Sequence, residues 1–514
     1  MTLEEQREQG FLRERERLIA VEMFVAAGLC AWAWKVAIPD RAEVLPSVFA
    51  EIAVLALCVI TLTTRDPLGT LRLSNPALSM VGWMFYYFIK PAFTWLQGYR
   101  MMFESSSTII LDASIVSDVQ LLHCYFMGAF FTTYLLVAPR RMVRPIFTRD
   151  SQPNLPVLPF ILLGLAPYVG TMVDRIATTG TIFPTASYGE AVAAEADSLF
   201  ESRAEGGAGY FLTQVLSKVW YFPLMALGLG YGVLVSKYVT QKRWLRVAAI
   251  FAQVPVLLLL GSGSRSGTIY PFLLAIMIAD ALSGPYRWWR LTPLMGVALE
   301  AFDFYGFFRG HQQEGFQAGI ESSLREIDAA PDTARSEDAT MLTKEAYCLF
   351  IVNHGRDYKG IEYFAEQLIQ LLPAQLAPEK MRQVNTADFL ANELIGYGRY
   401  ASGVAGAMVG DGYLMGGTLG VICLSAVLGL TFGLVVRWGM SGANGQAVLW
   451  RYLLMVMISV QATQYIRADF SVVLVQILYY VVLPGLAMRV LSDARIITSA
   501  GWARRLSTMG RAGS

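Results

Sequence analysis

The sequence predicts an all-α membrane protein that crosses the bilayer about twelve times. Of its 514 residues, 55% are hydrophobic and only 16% are charged, whereas soluble globular domains carry about a quarter charged residues. Apolar stretches long enough to span a bilayer recur along the chain. Twelve stretches of about 20 residues would occupy about 240 positions, close to half of the protein. This composition argues against an ordinary soluble enzyme.

Hydropathy along the chain places the twelve predicted spans. They cover residues 18–38, 45–62, 77–96, 119–137, 157–173, 210–235, 247–260, 268–282, 293–308, 413–436, 448–465 and 470–488. The first stretch is too long for the core of a signal peptide, and a second apolar stretch follows it at once. We therefore expect the first stretch to be retained as a transmembrane helix.

The distribution of arginine and lysine predicts the orientation of the chain. Positive charge concentrates in alternate connections, such as residues 140–149 and 237–246, and in the tail. The connections between them are sparse in positive charge or acidic. By the positive-inside rule, both termini are expected in the cytoplasm. The net charge of +1 gives no reason to expect a nucleic-acid partner.

Two long connections are predicted on the outer side of the membrane. The second is long, and it contains a helical pattern of its own. Ile361, Phe364, Leu368 and Leu372 are at helical spacing, and Pro373 ends the pattern. A connection of this length usually forms a lid or a binding element. The predicted organisation is a cytoplasmic segment 1–17, spans one to nine within 18–308 with an outer loop 174–209, a large periplasmic loop 309–401, spans ten to twelve within 402–488, and a basic cytoplasmic tail 489–514.

Three arginines are predicted at the outer membrane boundary, although they are far apart in the sequence. Arg265 lies in a stretch of glycine and serine between two apolar runs, Arg309 ends the ninth span, and Arg467 lies between the last two spans. Guanidinium groups bind phosphate oxygens through a fork of donors. Each arginine could instead reach the lipid interface or pair with a nearby acid such as Asp303 or Asp469. Three at one depth favour an anionic ligand.

Three residues on the predicted outer side are the candidates for exchanging a proton with substrate. His311 and His354 lie in the large loop, where a neutral imidazole can act as a base near physiological pH. Asp411 lies where the chain re-enters the membrane, and could be a base or could orient an arginine. His123 falls within the fourth span and is expected to be a hydrogen-bonded core residue. No histidine or carboxylate pair has the spacing of a catalytic metal site, so we expect no catalytic metal.

The order of four local features resembles the O-antigen polymerase (Wzy-like) family of bacterial polysaccharide polymerases. The features are Gly263-Ser264-Arg265-Ser266-Gly267 after an apolar run; Phe308-Arg309-Gly310 before the large loop; Asp357-Tyr358-Lys359-Gly360 followed by Leu371-Leu372-Pro373 and Lys380; and Asp411-Gly412-Tyr413 with Gly416-Gly417 and Gly420, then Ile466-Arg467-Ala468-Asp469. The similarity covers roughly the C-terminal half. The family often has a glutamate where this chain has Asp411.

The resemblance implies a membrane-embedded glycosyltransferase of the GT-C-like type in the bacterial inner membrane. Its donor would be a growing glycan on undecaprenyl diphosphate, and its acceptor a lipid-linked repeat unit delivered by a flippase. A chain-length regulator is a further expected partner, and no cofactor is expected. A lipid diphosphate leaves as a stable anion, so guanidinium groups can stabilise its charge without a metal.

The resemblance also suggests roles for the candidate residues. We expect Arg265, Arg309 and Arg467 to bind the diphosphate. His311 is the preferred base, with His354 and Asp411 as alternatives. Tyr358 and Tyr363 are the candidates for stacking on the sugar. The last two residues lie in the large loop, which is expected to cover the site.

Two other functions fit the same sequence features. An O-antigen ligase would share the donor and the arginines, but would transfer the glycan to lipid A core. A transporter or flippase of a lipid-linked sugar would move its substrate without forming a glycosidic bond. A transporter would not need a loop of about 90 residues outside the membrane. The sequence therefore favours the polymerase over both alternatives.

Overall fold

The computed structural model describes most of the predicted helices. The described residues are 3–65, 75–99, 111–139, 157–180, 221–238, 249–250, 265–283, 304–329 without 306 and 309, 340–369 without 356, 408–440, 446–461, 466, 470, 473–474, 477–483 and 486. Over these residues the chain forms helices and contains no β-strand. The predicted all-α class is thus confirmed for the part of the chain that is described.

Thirteen α-helices are described, together with short 3₁₀ and π segments. They are α1 Leu3–Val36, α2 Leu45–Arg65, α3 Pro76–Met84, α4 Lys90–Leu96, α5 Ala113–Val137, α6 Val157–Thr179, α7 Tyr221–Tyr238, α8 Arg265–Ser283, α9 Phe316–Ala329, α10 Thr340–Asn353, α11 Gly360–Ile369, α12 Met408–Met440 and α13 Gln446–Val460. The 3₁₀ turns are Pro39–Val44 and Gln312–Glu314, and the π segments are Phe85–Ile89 and Ile477–Val482.

Five of the described helical segments are long and apolar enough to cross a membrane. They are Ile19–Val36, Pro39–Thr64, Ala113–Val137, Val157–Ala177 and Met408–Met440. Shorter apolar helices occupy Pro223–Ser236, Tyr270–Ala279 and Arg451–Val460. These segments overlap predicted spans, and their length and composition are those of a helical membrane protein. The count of twelve stays a prediction, since 247–260, 293–308 and 470–488 lie largely outside the described residues.

The outward faces of the long helices are apolar. On α6, the exposed residues Leu158, Leu162, Val169, Val173 and Ile176 follow helical spacing along one side. A soluble protein rarely exposes a continuous apolar stripe of this kind. The stripe is therefore the surface that we expect to contact lipid.

Capping side chains fix where some helices begin. Asp112 precedes α5, and its carboxylate accepts a hydrogen bond from the backbone N–H of Ile115 at 2.8 Å. Asn75 precedes α3 and accepts from the N–H of Ala77 at 2.9 Å, with Pro76 at the first helical position. Both arrangements satisfy backbone donors that a helix leaves free at its first turn.

Small residues allow α5 and α12 to pack closely. Ser425, Gly429 and Gly433 follow one another at intervals of four, so they share one face of α12. The Ser425 hydroxyl donates to the Phe126 carbonyl, and a Cβ added to Gly433 would lie 3.1 Å from the carbonyl oxygen of Tyr134. Small residues at this spacing are typical of tight helix pairs in membranes.

Helix α10 packs among the described helices, within the region 309–401 that the sequence predicts as one outer loop. Every residue from 341 to 349 is buried, and α10 packs against α4, α5 and α12. Lys344 and Glu345 lower the hydropathy of this segment, which is why a search for apolar spans passes over it. The predicted helical character of the region is confirmed by α9, α10 and α11.

Helix α12 is interrupted near its start. Gly416 and Gly417 have non-helical backbone angles, and they separate a short helix, 408–415, from a long one, 418–440. Gly417 has a φ of +61°, a conformation in which a side chain is strained and glycine is not. The short helix folds against the long one, since a Cβ on Gly412 would lie 2.8 Å from the Cα of Val421.

Candidate functional site

The connection between α10 and α11 lies on the start of α12. We call residues 354–359 the α10–α11 linker. The backbone N–H of Lys359 donates to the carbonyl of Leu414 at 2.8 Å. Just before the linker, Asn353 accepts a hydrogen bond from the Tyr413 hydroxyl at 3.4 Å. These contacts join segments that are more than fifty residues apart in the sequence.

The glycine turn in α12 provides the space for the linker. A Cβ added to Gly417 would lie only 2.9 Å from the hydroxyl oxygen of Tyr358. The ring of Tyr358 meets that of Tyr413 edge to face, with centroids 6.2 Å apart. Gly417 is therefore required both for its backbone angles and for the close approach of Tyr358.

Asp411 connects three parts of the chain through its carboxylate. The residue is 0% exposed. One carboxylate oxygen accepts a hydrogen bond from the Tyr363 hydroxyl, and the other accepts from the backbone N–H of Phe470, each at 2.9 Å. Both oxygens of Asp411 already accept hydrogen bonds. The geometry therefore favours a role in positioning neighbouring residues over a role as the base that takes a proton from substrate.

Of the two tyrosines predicted to stack on sugar, only Tyr358 presents its ring to solvent. Tyr358 is 51% exposed, whereas Tyr363 is 1% exposed. The ammonium of Lys359 lies 4.4 Å from the centroid of the Tyr363 ring, a cation–π distance. In this conformation Tyr363 has no open face for a sugar, and its role is to hold Asp411.

His354 lies in the linker, exposed, with one ring nitrogen occupied. Its Nδ1 is 2.8 Å from the backbone carbonyl of Phe350, and its ring packs against the Phe350 ring with centroids 3.9 Å apart. A carbonyl oxygen only accepts hydrogen bonds, so Nδ1 must carry the proton of the neutral ring. The lone pair is then on Nε2, as a general base requires.

His311 has a different environment. Its Nδ1 is 2.8 Å from Glu314, and its Nε2 is 2.8 Å from Glu326. Carboxylates only accept, so filling both contacts requires both ring nitrogens to donate, as they do in an imidazolium. The hydrogen bonds that His311 donates to Glu314 and Glu326 raise its pKa above the ordinary value of 6.5. The geometry therefore favours His354 as the general base, whereas the sequence alone favours His311.

The raised pKa of His311 predicts how the stability of α9 depends on pH. Its bonds to Glu314 and Glu326 contribute fully below pH 6.5, the unfolded value, and are lost as the pH rises through the higher folded pKa. We expect the hydrogen-exchange protection factors of α9 to fall over that range. His311→Gln should remove this dependence. The same decline in His311→Gln would contradict the assignment of this pH dependence to His311.

The three arginines predicted to bind diphosphate are only partly within the described residues. Arg265 is the first residue of α8, and its side chain lies outside the described part of the chain, as do Arg309 and Arg467. Their convergence stays a prediction. Phe470, three positions after Arg467 in the sequence, contacts Asp411 through its backbone.

A buried cluster of ionisable side chains, which the sequence did not indicate, joins three helices. His123 of α5 lies between two carboxylates: its Nδ1 is 2.8 Å from Glu51 of α2, and its Nε2 is 2.8 Å from Glu345 of α10. All three residues are buried, and the Phe88 ring stacks on the imidazole at 3.9 Å. The expectation that His123 is a hydrogen-bonded core residue agrees with this geometry. Its partner Glu345 lies in the region 309–401.

Over the residues that the structure describes, no group of three His, Cys, Asp or Glu side chains is arranged to hold a metal ion.

Comparisons with known proteins identify no relative of this chain. Scans of the chain against protein-family models, curated proteins and solved structures find no match. The functional proposal therefore depends on the residues themselves.

Proposed function

We propose that this protein is a glycosyltransferase that polymerises undecaprenyl-diphosphate-linked oligosaccharide repeat units into O-antigen or exopolysaccharide. The reaction would take place at the periplasmic face of the bacterial inner membrane, with both termini in the cytoplasm and a GT-C-like arrangement of helices. The observation that carries the proposal is the contact of the 357–360 sequence with 411–417, two of the features that resemble the polymerase family.

The proposed chemistry needs charge stabilisation on the leaving group. As the acceptor hydroxyl oxygen bonds to the anomeric carbon of the donor, the bond from that carbon to the diphosphate oxygen breaks. The electron pair remains on the lipid diphosphate, where Arg265, Arg309 and Arg467 would stabilise it. Preorganised donors of this kind act where charge develops, and they need no reorganisation during the reaction.

The acceptor hydroxyl also needs a group that takes its proton. We assign this role to Nε2 of His354, because Nδ1 is held by the carbonyl of Phe350 and the ring is exposed. Tyr358 is the exposed aromatic ring in the same linker, and it would stack on the sugar next to the reacting hydroxyl. Asp411 and Tyr363 would hold this end of α12 in place.

Purified protein in liposomes can test the reaction directly. With lipid-linked repeat units as the sole substrate, a polymerase produces a ladder of glycans that differ by one repeat unit. An O-antigen ligase produces no ladder under these conditions, and forms product only when lipid A core is added. A transporter moves labelled repeat units between the leaflets without lengthening them. The absence of any ladder would overturn the polymerase proposal.

Arginine substitutions test the proposed diphosphate site. We expect Arg265→Ala and Arg309→Ala to slow ladder formation by about 100-fold each, the effect of removing one donor to a developing anion. Arg325→Ala is the matched control, because Arg325 is exposed on α9 and its guanidinium is 3.9 Å from Glu321. Full-length ladders at the normal rate from both test variants would refute the assignment.

A further inference from the structure

The buried cluster of Glu51, His123 and Glu345 links α10 to α5 and α2 through hydrogen bonds. The two ring nitrogens of His123 each lie 2.8 Å from a carboxylate oxygen. Each of these hydrogen bonds needs one proton, so the pair needs two. An imidazolium between two carboxylates supplies both protons. In an apolar interior such charge-assisted bonds are stronger than in water, and losing one partner leaves the other unsatisfied.

Within the part of the chain that the structure describes, each carboxylate forms its hydrogen bond through one oxygen only. The second oxygen of each, Oε2 of Glu51 and Oε1 of Glu345, has no hydrogen-bond partner among the described residues. For each carboxylate, the histidine is therefore the group that fixes its direction. Glu345 of α10 is hydrogen-bonded to Nε2 of His123 on α5, and Nδ1 of the same ring is hydrogen-bonded to Glu51 on α2.

Helix α10 connects this cluster to the candidate site. Glu345 and Asn353 are eight residues apart on one helix, which corresponds to about 12 Å along its axis. A helix transmits a displacement at one end to the other because its backbone bonds keep its length fixed. Asn353 accepts the hydrogen bond from Tyr413, and the α10–α11 linker begins at the next residue.

We propose that Glu51, His123 and Glu345 form a positioning cluster that fixes α10 and thereby places the α10–α11 linker on α12. The cluster does not touch substrate. Its effect on glycosyl transfer rests on the proposed function, because it acts through His354 and Tyr358. Its effect on the position of the linker is independent of the reaction and can be measured without substrate.

Substitutions at Glu345 separate a positioning role from general loss of packing. Glu345→Ala removes the bond to His123. Glu345→Gln keeps it, because the amide nitrogen can donate to Nε2 of a neutral imidazole while Nδ1 still donates to Glu51. His123→Gln is a second disruptive variant, since its amide can donate to one carboxylate but cannot bridge both. Tyr134→Phe is the control, as it removes another buried hydrogen bond of α5, to Asn75 at 3.1 Å.

Thiol cross-linking in the full-length protein reports the position of the linker. Cysteines replace Asp357 and Thr418, the exposed neighbours of Tyr358 and Gly417, and a short bifunctional thiol reagent joins them. Mass spectrometry of the linked peptide distinguishes this pair from the five native cysteines. We expect efficient cross-linking in the parent, in Glu345→Gln and in Tyr134→Phe. We expect about tenfold less in Glu345→Ala and in His123→Gln.

The outcomes separate this proposal from the proposed function. Normal cross-linking in folded Glu345→Ala or His123→Gln, judged by gel filtration, would overturn the positioning role whatever the enzyme activity. Reduced cross-linking that Glu345→Gln restores would support it. If glycan ladders fall and recover in the same variants, the cluster positions the transferase site. If the parent makes no ladder while the cross-linking pattern holds, the positioning role stands and the transferase proposal fails.

Discussion

Replacing His354 by glutamine is expected to slow repeat-unit polymerisation by about 1,000-fold, within the range of a lost general base. Glutamine has a similar size and can still donate to the carbonyl of Phe350, so the linker should keep its place. It cannot accept a proton from the acceptor hydroxyl. Ladder formation by purified protein in liposomes, followed over time at saturating repeat units, measures the effect.

His311→Gln is the matched control for this prediction. Both histidines lie in the region between α8 and α12, but His311 donates from both of its nitrogens to Glu314 and Glu326 and has no lone pair to offer. We expect His311→Gln to keep a ladder rate close to that of the parent. A large loss in His311→Gln together with normal activity in His354→Gln would reverse the assignment of the base.

Replacing Asp411 by alanine is expected to remove the folded form of the site and with it all polymerisation. The Tyr363 hydroxyl and the Phe470 N–H would both lose their acceptor inside the protein. Each buried donor left unsatisfied costs about 1–3 kcal/mol. The expected result is a lower thermal unfolding temperature in detergent and no ladder from the protein that remains folded.

Asp411→Asn distinguishes a positioning carboxylate from a catalytic one. The amide oxygen can accept from the Phe470 N–H, while the amide nitrogen donates to the hydroxyl oxygen of Tyr363. Both contacts are then kept without a negative charge, and the Tyr363 O–H alone loses the acceptor that Asp411 provided. We expect a folded protein with activity within about tenfold of the parent. A folded but inactive Asp411→Asn would show that the charge itself takes part in catalysis.

The α12 turn shows how far sequence reasoning reached within the candidate site. The sequence singled out Gly416-Gly417, Tyr358 and Asp411, because rare local patterns are visible without coordinates. It did not indicate that Tyr358 lies over Gly417 or that Tyr363 is buried beneath Lys359. Tyr358 and Gly417 are about sixty residues apart, and the buried Tyr363 hydroxyl donates to Asp411, 48 positions away. No local periodicity encodes which distant positions meet.

The two histidines of the large loop show a similar limit. Both are polar residues in a loop, and the sequence alone favoured His311 as the base. The tertiary structure gives His311 two carboxylate partners and leaves His354 with one carbonyl. A partner at i+15, such as Glu326, depends on how α9 folds back, and no pattern around His311 predicts it.

The sequence by itself determined that this protein is helical and built to cross a membrane, and it located segments such as 18–38 and 119–137. Those properties follow from composition and from hydropathy over windows of about 20 residues. Only the tertiary structure decided that α10 is buried and that Glu51, His123 and Glu345 meet. A charged residue in a connecting segment looks exposed until its partner is known, and here the partner is 222 positions away.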